Sequence, residues 1–356
     1  MKDTSINGYS IRMYQLEDEG KLLDFLSQVL QGWAAYSDKG ALWRWKHFAN
    51  PFGSSYVCVA CNDREDIIGA LAFMRWRLRL GHRIIQCFRV TDMATHPDYR
   101  RMGIALSLRR HLMEIAQRDE DIPIFNTPNQ YSLPISLQTG SRLAGNIRLL
   151  IRVLNYRRFV MGLIRNRFNK WSSPQYQPQD FFRQGPLPVS KLLERREELE
   201  RLLEQDQQFQ NKTFRTERSW EYLQWRYARD PHTTYYAMHK EHQGELAGCA
   251  IFRADTYHSL KGIVINELLL GTPEEQLVSD LLNQLDSILN VDYVITYFSR
   301  GSVQREVLNR KGFLKIPRRA YNLTIYAWHP EFGDAPFSLD NWGLTPGELE
   351  EAWAWR

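Results

Sequence analysis

Arg89-Val90-Thr91-Asp92-Met93-Ala94-Thr95-His96-Pro97-Asp98-Tyr99-Arg100-Arg101-Met102-Gly103-Ile104-Ala105 is the most informative stretch of the chain. Its first half predicts a strand that ends near Thr95 and is broken by Pro97. Its last residues open a helix from about Gly103, because Ala105, Leu108, Leu112 and Ile115 recur at helical spacing. In the turn between them, the small residues Gly103 and Ala105 let a ligand approach the backbone. The first helical turn offers unpaired N–H groups at a positive dipole end. Arg100 and Arg101 add charge and donors. The combination suits a pyrophosphate; the alternative is an ordinary strand-to-helix turn with solvated arginines.

Working outward, the chain repeats itself. Trp43-Arg44-Trp45-Lys46-His47-Phe48-Ala49-Asn50-Pro51 aligns with Leu223-Gln224-Trp225-Arg226-Tyr227-Ala228-Arg229-Asp230-Pro231, sharing Trp, a basic residue, a ring and a proline. Five residues beyond each proline a tyrosine, Tyr56 or Tyr236, opens a strand. A charged turn follows each strand, and then Gly69-Ala70-Leu71-Ala72-Phe73 matches Gly248-Cys249-Ala250-Ile251-Phe252. Two copies of one α/β module follow from this order. A chain of 356 residues has room for both, at about 150 residues per domain. Between the copies, residues 171–188 are rich in Pro, Gln and Ser and predict a linker, followed by a charged helix from about Ser190 to Gln208.

The segment 89–105 resembles the signature of the GNAT superfamily of acyl-CoA-dependent N-acyltransferases: Arg100-x-x-Gly103-x-Ala105, preceded by Met93-Ala94-Thr95-His96-Pro97. The resemblance implies an α/β (α+β mixed sheet) chain of two tandem GNAT-like domains, each a central mixed β-sheet flanked by helices, the second being a degenerate copy. The boundaries expected are 1–155 for the N-terminal domain with the acyl-CoA site, 156–212 for a basic segment, linker and charged helix, 213–330 for the degenerate C-terminal domain and 331–356 for a tail. By the same resemblance, the amides of Met102, Gly103, Ile104 and Ala105 hold the CoA pyrophosphate beside Arg100 and Arg101, and the backbone of Met93 and Thr95 pairs with the pantetheine arm. Asn129 stands where the family often has a polar CoA contact, and Ser136 where many members have a tyrosine that protonates the leaving thiolate; Tyr131 could substitute for it. The second copy has no arginine and no glycine after the corresponding proline, Pro273, and carries Glu274 and Glu275 at the helix start, two carboxylates that would repel a pyrophosphate. Arg310-Lys311-Gly312-Phe313 and Tyr321 to Tyr326 resemble the family's closing Gly-Phe and last strand.

The activity implied is transfer of an acyl group from acyl-CoA, or from an acyl-carrier protein, to a primary amine of a small molecule, amino sugar or peptide. A fatty-acyl transferase acting on a peptide Lys- or ornithine-type amine is the alternative within that class, and a non-catalytic acyl-CoA-binding or tRNA-contacting module the alternative outside it. Such an enzyme must remove a proton from the amine. Asp92 is the first candidate base, Glu267 at the equivalent place in the second copy the second, and the chain terminus at Arg356, anchored by Trp353 and Trp355, the third.

Charge and cysteine usage narrow the setting. The formal charge of +5 is too small for a nucleic-acid coat, and four scattered cysteines make no disulfide framework. Cys58 and Cys61 form a CxxC, but on a strand an offset of three puts them on opposite faces, so they read as core residues rather than metal ligands, and no metal is expected. The sequence shows neither a membrane span nor a signal peptide, and a cytoplasmic protein is expected. The positive charge is concentrated: residues 122–179 hold no Asp or Glu but carry Arg142, Arg148, Arg152, Arg157, Arg158, Arg165, Arg167 and Lys170 among aliphatic residues. Such a stretch, 142–170, can meet a membrane surface, an acidic carrier protein, an acidic peptide or RNA, with nucleic acid disfavoured; the alternative is a partly buried strand and helix with snorkelling arginines.

Overall fold

The computed structural model describes residues 4–6, 8–120, 122–168, 176–317 and 320–349. Arg167's side chain, Lys170 and the terminal Trp353, Trp355 and Arg356 lie outside the described residues. Contacts divide the chain into two units, one of residues 1–78, 84–146 and 321–339, the other of 79–83, 147–320 and 340–356.

The first unit begins with strands β1 (Thr4–Ile6) and β2 (Tyr9–Met13) and helices α1 (Glu19–Val29), α2 (Gln31–Ala34) and α3 (Lys39–His47). Strands β3 (Tyr56–Cys61), β4 (Ile67–Leu80) and β5 (Arg83–Thr95) follow, then α4 (Ile104–Glu120), β6 (Ile124–Asn126), α5 (Leu133–Gln138) and β7 (Arg142–Ile147). β3 has the alternation that period two requires. Cys58 and Ala60 join a core with Ile104, Leu108 and Leu112 of α4, whereas Val57, Val59 and Cys61 join one with Leu22, Phe25 and Trp43 of α1 and α3. The sheet is therefore covered on both faces, and the two cysteines lie on opposite ones.

The second unit repeats the order. It comprises β8 (Leu150–Val153), α6 (Tyr156–Phe168), β9 (Leu187–Pro188), α7 (Val189–Leu193), α8 (Arg196–Phe209), β10 (Arg215–Thr216), α9 (Trp220–Leu223), β11 (Tyr235–His242), β12 (Glu245–Tyr257), β13 (Leu260–Leu270), α10 (Glu275–Ile288), β14 (Tyr293–Thr296), α11 (Val303–Arg310) and β15 (Leu314–Lys315). Its sheet runs β15-β8-β14-β13-β12-β11-β9. The last strand, β16 (Tyr321–Tyr326), returns to the first sheet, whose order is β1-β2-β3-β4-β5-β6-β16-β7. Both sheets are mixed: β5 runs parallel to β6 and β13 parallel to β14, while β2–β3, β3–β4, β6–β16, β11–β12 and β12–β13 are antiparallel.

Two expectations change here. Tyr321–Tyr326 closes the first sheet, pairing Thr324 with Asn126, while Leu150–Val153 takes a place in the second, pairing Tyr293 with Val153. Domain limits at 155 and 330 therefore miss an exchange of strands, which the division by contacts follows. The expected linker is also partly built into a core. Phe181 and Phe182 are buried among Phe252 and Leu289, and Pro188 and Leu187 pair with Tyr236 and Ala237. Two aromatic rings outweigh the surrounding Pro and Gln, because burying each is worth about 1.5–3 kcal/mol.

Close approach of strands fixes one residue type in the second unit. A Cβ on Gly262 would stand 2.1 Å from the ring of Tyr293, itself held by a hydrogen bond to Asp255 Oδ2 at 2.8 Å. Gly262→Val is expected to destabilise the protein by about 1–3 kcal/mol through overpacking. Urea denaturation checks this, and an unchanged midpoint would show that the ring can swing aside.

Candidate active site

Parallel pairing between β5 and β6 consists of Phe88 with Ile124 and Arg89 with Phe125. β5 continues to Thr95, so its last residues run on beyond that pairing, and Asp92, Met93 and Thr95 are partly exposed. A strand end of this kind presents backbone groups to an extended ligand. Pro97–Tyr99 then form a single 3₁₀ turn, with the His96 ring accepting the Asp98 amide at 3.3 Å. The next residues turn back sharply, through Arg101 at φ 67° and Gly103 at φ 81°.

Gly103 ends this turn and starts α4, its carbonyl accepting the Ser107 amide at 2.9 Å. It has no side chain with which to cap the helix. The amides of Ile104, Ala105 and Leu106 therefore have no intrahelical partner and face outward at the positive end of the dipole. Arg100, Arg101, Met102 and Gly103 are exposed, and a Cβ built on Gly103 meets nothing within 4 Å. The structure thus places the sequence-predicted residues 100–105 in one exposed, arginine-flanked turn at the start of α4, next to the end of β5. Backbone amides in successive left-handed turns make such anion sites.

Asn129 is on the surface, and its Oδ1 accepts the amides of Tyr131 and Ser132 at 2.9 and 3.0 Å, ahead of α5. Tyr131 is 79% exposed. Ser136 is the reverse: it is buried, and its Oγ has no hydrogen-bond partner among the described residues.

Asp92 has an occupation that its sequence position did not reveal. At φ 51° it kinks β5, and its carboxylate accepts from Trp33 Nε1 at 3.1 Å, stands 2.7 Å from Lys46 Nζ and 3.0 Å from His47 Nε2. His47 in turn has Nδ1 2.9 Å from Ser55 Oγ. Both Lys46 and His47 come from α3, which is capped by Asp38 accepting the Ala41 amide and which turns Trp43 and His47, four residues apart, to one face. Burial alone would raise the Asp92 pKa, but the Lys46 charge and the His47 hydrogen bond hold it well below the usual carboxylate range. A carboxylate so held is a poor proton acceptor. The serine, histidine and carboxylate are in the order of a hydrolase triad, yet His47 is fully buried and Ser55 nearly so. The geometry fits an anchor that ties α3 to β5 rather than a free base.

The second unit shows the same device with other residues. Tyr227, which the repeat aligns with His47, donates to Glu267 Oε1 at 2.8 Å, and Glu267 occupies the place of Asp92. Arg218 bridges Glu267 and Glu348 at 2.9 and 2.8 Å. Burial, together with the nearby Glu348, pushes the Glu267 carboxyl up despite Arg218; burial acts on Glu348 too, but Arg218 and the Thr345 amide hold it down. Glu267 is 1% exposed and reads as an anchor as well. Lys46 and His47 are the residues that sequence reasoning missed, although the repeat already aligned His47 with Tyr227 and Asp92 with Glu267.

β13 also passes beyond its parallel partner, which it meets only from Gly262 to Val264, but here the strand is buried throughout. Gln304 Nε2 of α11 donates to the Leu268 carbonyl at 3.2 Å, in the stretch where β5 stays partly exposed. Glu274 and Glu275 stand at the start of α10. A buried strand end and an acidic helix start set the second unit apart from the first.

A sheet whose two parallel strands part beside an open, arginine-flanked helix start is the arrangement of the GNAT fold. Residues 10–137 match the profile of the acetyltransferase (GNAT) domain. No curated protein matches the chain. Among solved structures it is similar to a GCN5-related N-acetyltransferase from Anabaena variabilis ATCC 29413, at 15% identity and a TM-score of 0.61 over 89% of this chain and 72% of that one. It is similar as well to a conserved protein of unknown function from Enterococcus faecalis V583, described as a probable N-acyltransferase, at 10% identity and a TM-score of 0.60 over 89% and 72%. Saccharomyces cerevisiae N-myristoyltransferase with bound myristoyl-CoA aligns at 9% identity and a TM-score of 0.55, over 92% of this chain and 85% of that one. At these identities the likeness is one of fold. It extends over both units, in keeping with two GNAT-like domains in tandem.

Proposed function

We propose that the chain is an acyl-CoA-dependent N-acyltransferase whose first unit holds the thioester and whose acceptor is a primary amine on a small molecule, amino sugar or peptide. The observation that carries this reading is the open turn Arg100–Ala105 at the start of α4, beside the partly exposed end of β5. The CoA pyrophosphate sits on the amides of Met102 to Ala105 with Arg100 and Arg101 as counter-charges, and the pantetheine arm lies along Met93 and Thr95. The neutral amine attacks the thioester carbon, the N–C bond forms as the C–S bond breaks, the thiolate leaves, and the proton lost from the amine passes to solvent. Ser136 is too weak an acid to protonate that thiolate, and it is buried. A thiol with a pKa near 8.5 needs little further help at neutral pH.

A fatty-acyl donor is the second reading, favoured by the likeness in fold to a protein that holds myristoyl-CoA. Mass spectrometry of thioesters that co-purify with the chain separates the two, a C8 to C16 species selecting the fatty-acyl donor. Release of free thiol from acetyl-, octanoyl- and myristoyl-CoA, scanned over amine acceptors, tests the activity itself. Failure of every thioester to bind would leave a scaffold role.

A further inference from the structure

Helix α6 turns the wrong face to water. Its inward side is set by Phe159, whose ring meets Tyr293 edge-on at 6.0 Å, and by Gly162, where a Cβ would lie 2.5 Å from Leu260. At 3.6 residues per turn, Tyr156, Val160 and Ile164 fall together on the opposite side, with Met161 beside them. These side chains are 70%, 51%, 49% and 59% exposed. Four large apolar groups on one short outward face lose solvation free energy that a buried position would recover.

The polar groups on that face are all cationic. Arg157 and Arg165 are exposed and have no carboxylate partner among the described residues. Other arginines of the basic stretch are used structurally: Arg142 lies over Phe337 and pairs with Asp334, Arg152 pairs with Asp286, and Arg158 reaches Asp292 at 3.4 Å. At the start of α6 lies a cavity of about 330 Å³, lined in part by Asn155, Arg158, Arg183 and Asp286. Arg183, too, has no carboxylate partner among the described residues.

We infer that α6 is an interfacial helix that seats this protein on an anionic phospholipid surface. Apolar side chains flanked by arginines on the outer face of a helix of 13 residues are what such binding uses: the aliphatic groups enter the acyl boundary while the guanidiniums meet headgroup phosphates. A second copy docking through the same face would set Arg157 and Arg165 against themselves, which argues against self-association there. An acidic protein would meet the charge but needs a matching apolar groove, whereas a bilayer supplies both. No helix among the described residues is long and apolar enough to cross a membrane, so the contact is peripheral.

Sedimentation with vesicles of phosphatidylcholine, with and without phosphatidylglycerol, tests this. The full chain is expected to pellet with the anionic vesicles and to stay in solution with the neutral ones. Val160→Ser/Met161→Ser/Ile164→Ser and Arg157→Glu/Arg165→Glu should each reduce the bound fraction at equal lipid at least tenfold. All five positions are exposed, and circular dichroism checks that the variants fold. Absence of binding to anionic vesicles, or binding by either variant equal to that of the parent, overturns the inference. So does a dimer in sedimentation velocity that the triple serine variant dissociates.

Discussion

Replacing Arg100 and Gly103 together by glutamate is expected to raise the Kd for acyl-CoA by about a hundredfold or more, or about 2.7 kcal/mol. The effect has two sources. Gly103 stands at φ 81°, so a glutamate there adopts a strained backbone and covers the amides with a side chain. The two new carboxylates also reverse the charge at the positive end of α4. Because both residues are exposed and a Cβ at Gly103 meets nothing within 4 Å, the loss should come without loss of folding. Calorimetry should give one site per chain for the unmodified protein, since Gln304 fills the strand end in the second unit and Glu274 and Glu275 flank its helix start. Two sites per chain, or unchanged affinity in the variant, would remove the basis of the proposed donor site.

That turn was legible in the sequence because its chemistry is local. Proline, arginine and glycine each act on the backbone within a residue or two of themselves, and the helix behind them declares its period. The same holds for β3, where alternation alone separated Cys58 from Cys61. The exchange of β8 and β16 was not legible, because periodicity reports that a segment is a strand and says nothing of its partner. Tyr321–Tyr326 follows the second module in the chain and yet completes the first sheet. The partners of Asp92 were hidden for a related reason. His47 is separated from it by 45 residues, and the strand kink that brings them together is a property of the folded sheet. The repeat did hold the clue: both copies place a hydrogen-bonding ring on the helix and a carboxylate on the strand, and two aligned pairs of that kind imply one shared contact.

Asp92 is where stability and catalysis can be told apart. Asn in its place would remove the carboxylate that stands 2.7 Å from the ammonium of Lys46, a residue only 8% exposed. Breaking a buried pair from one side costs about 3–5 kcal/mol, which for a unit of this size lowers Tm by about 6–20 °C. The pH dependence follows from the direction of the Asp92 shift. Its folded pKa lies below the unfolded value, so the stability it lends is complete above the unfolded pKa and is lost as pH falls through the folded one. The gap in stability between the parent and Asp92→Asn should therefore be widest near neutral pH and narrow in acid. Adding Lys46→Met to Asp92→Asn should recover at least 1 kcal/mol or so, since the pair is coupled by contact. For the folded fraction, an anchoring role predicts that kcat changes by only a few fold, whereas loss of a positioned base costs about a hundredfold or more. Full stability in Asp92→Asn combined with a hundredfold fall in kcat would return Asp92 to the role of general base and leave the contacts with Lys46 and His47 to serve its orientation.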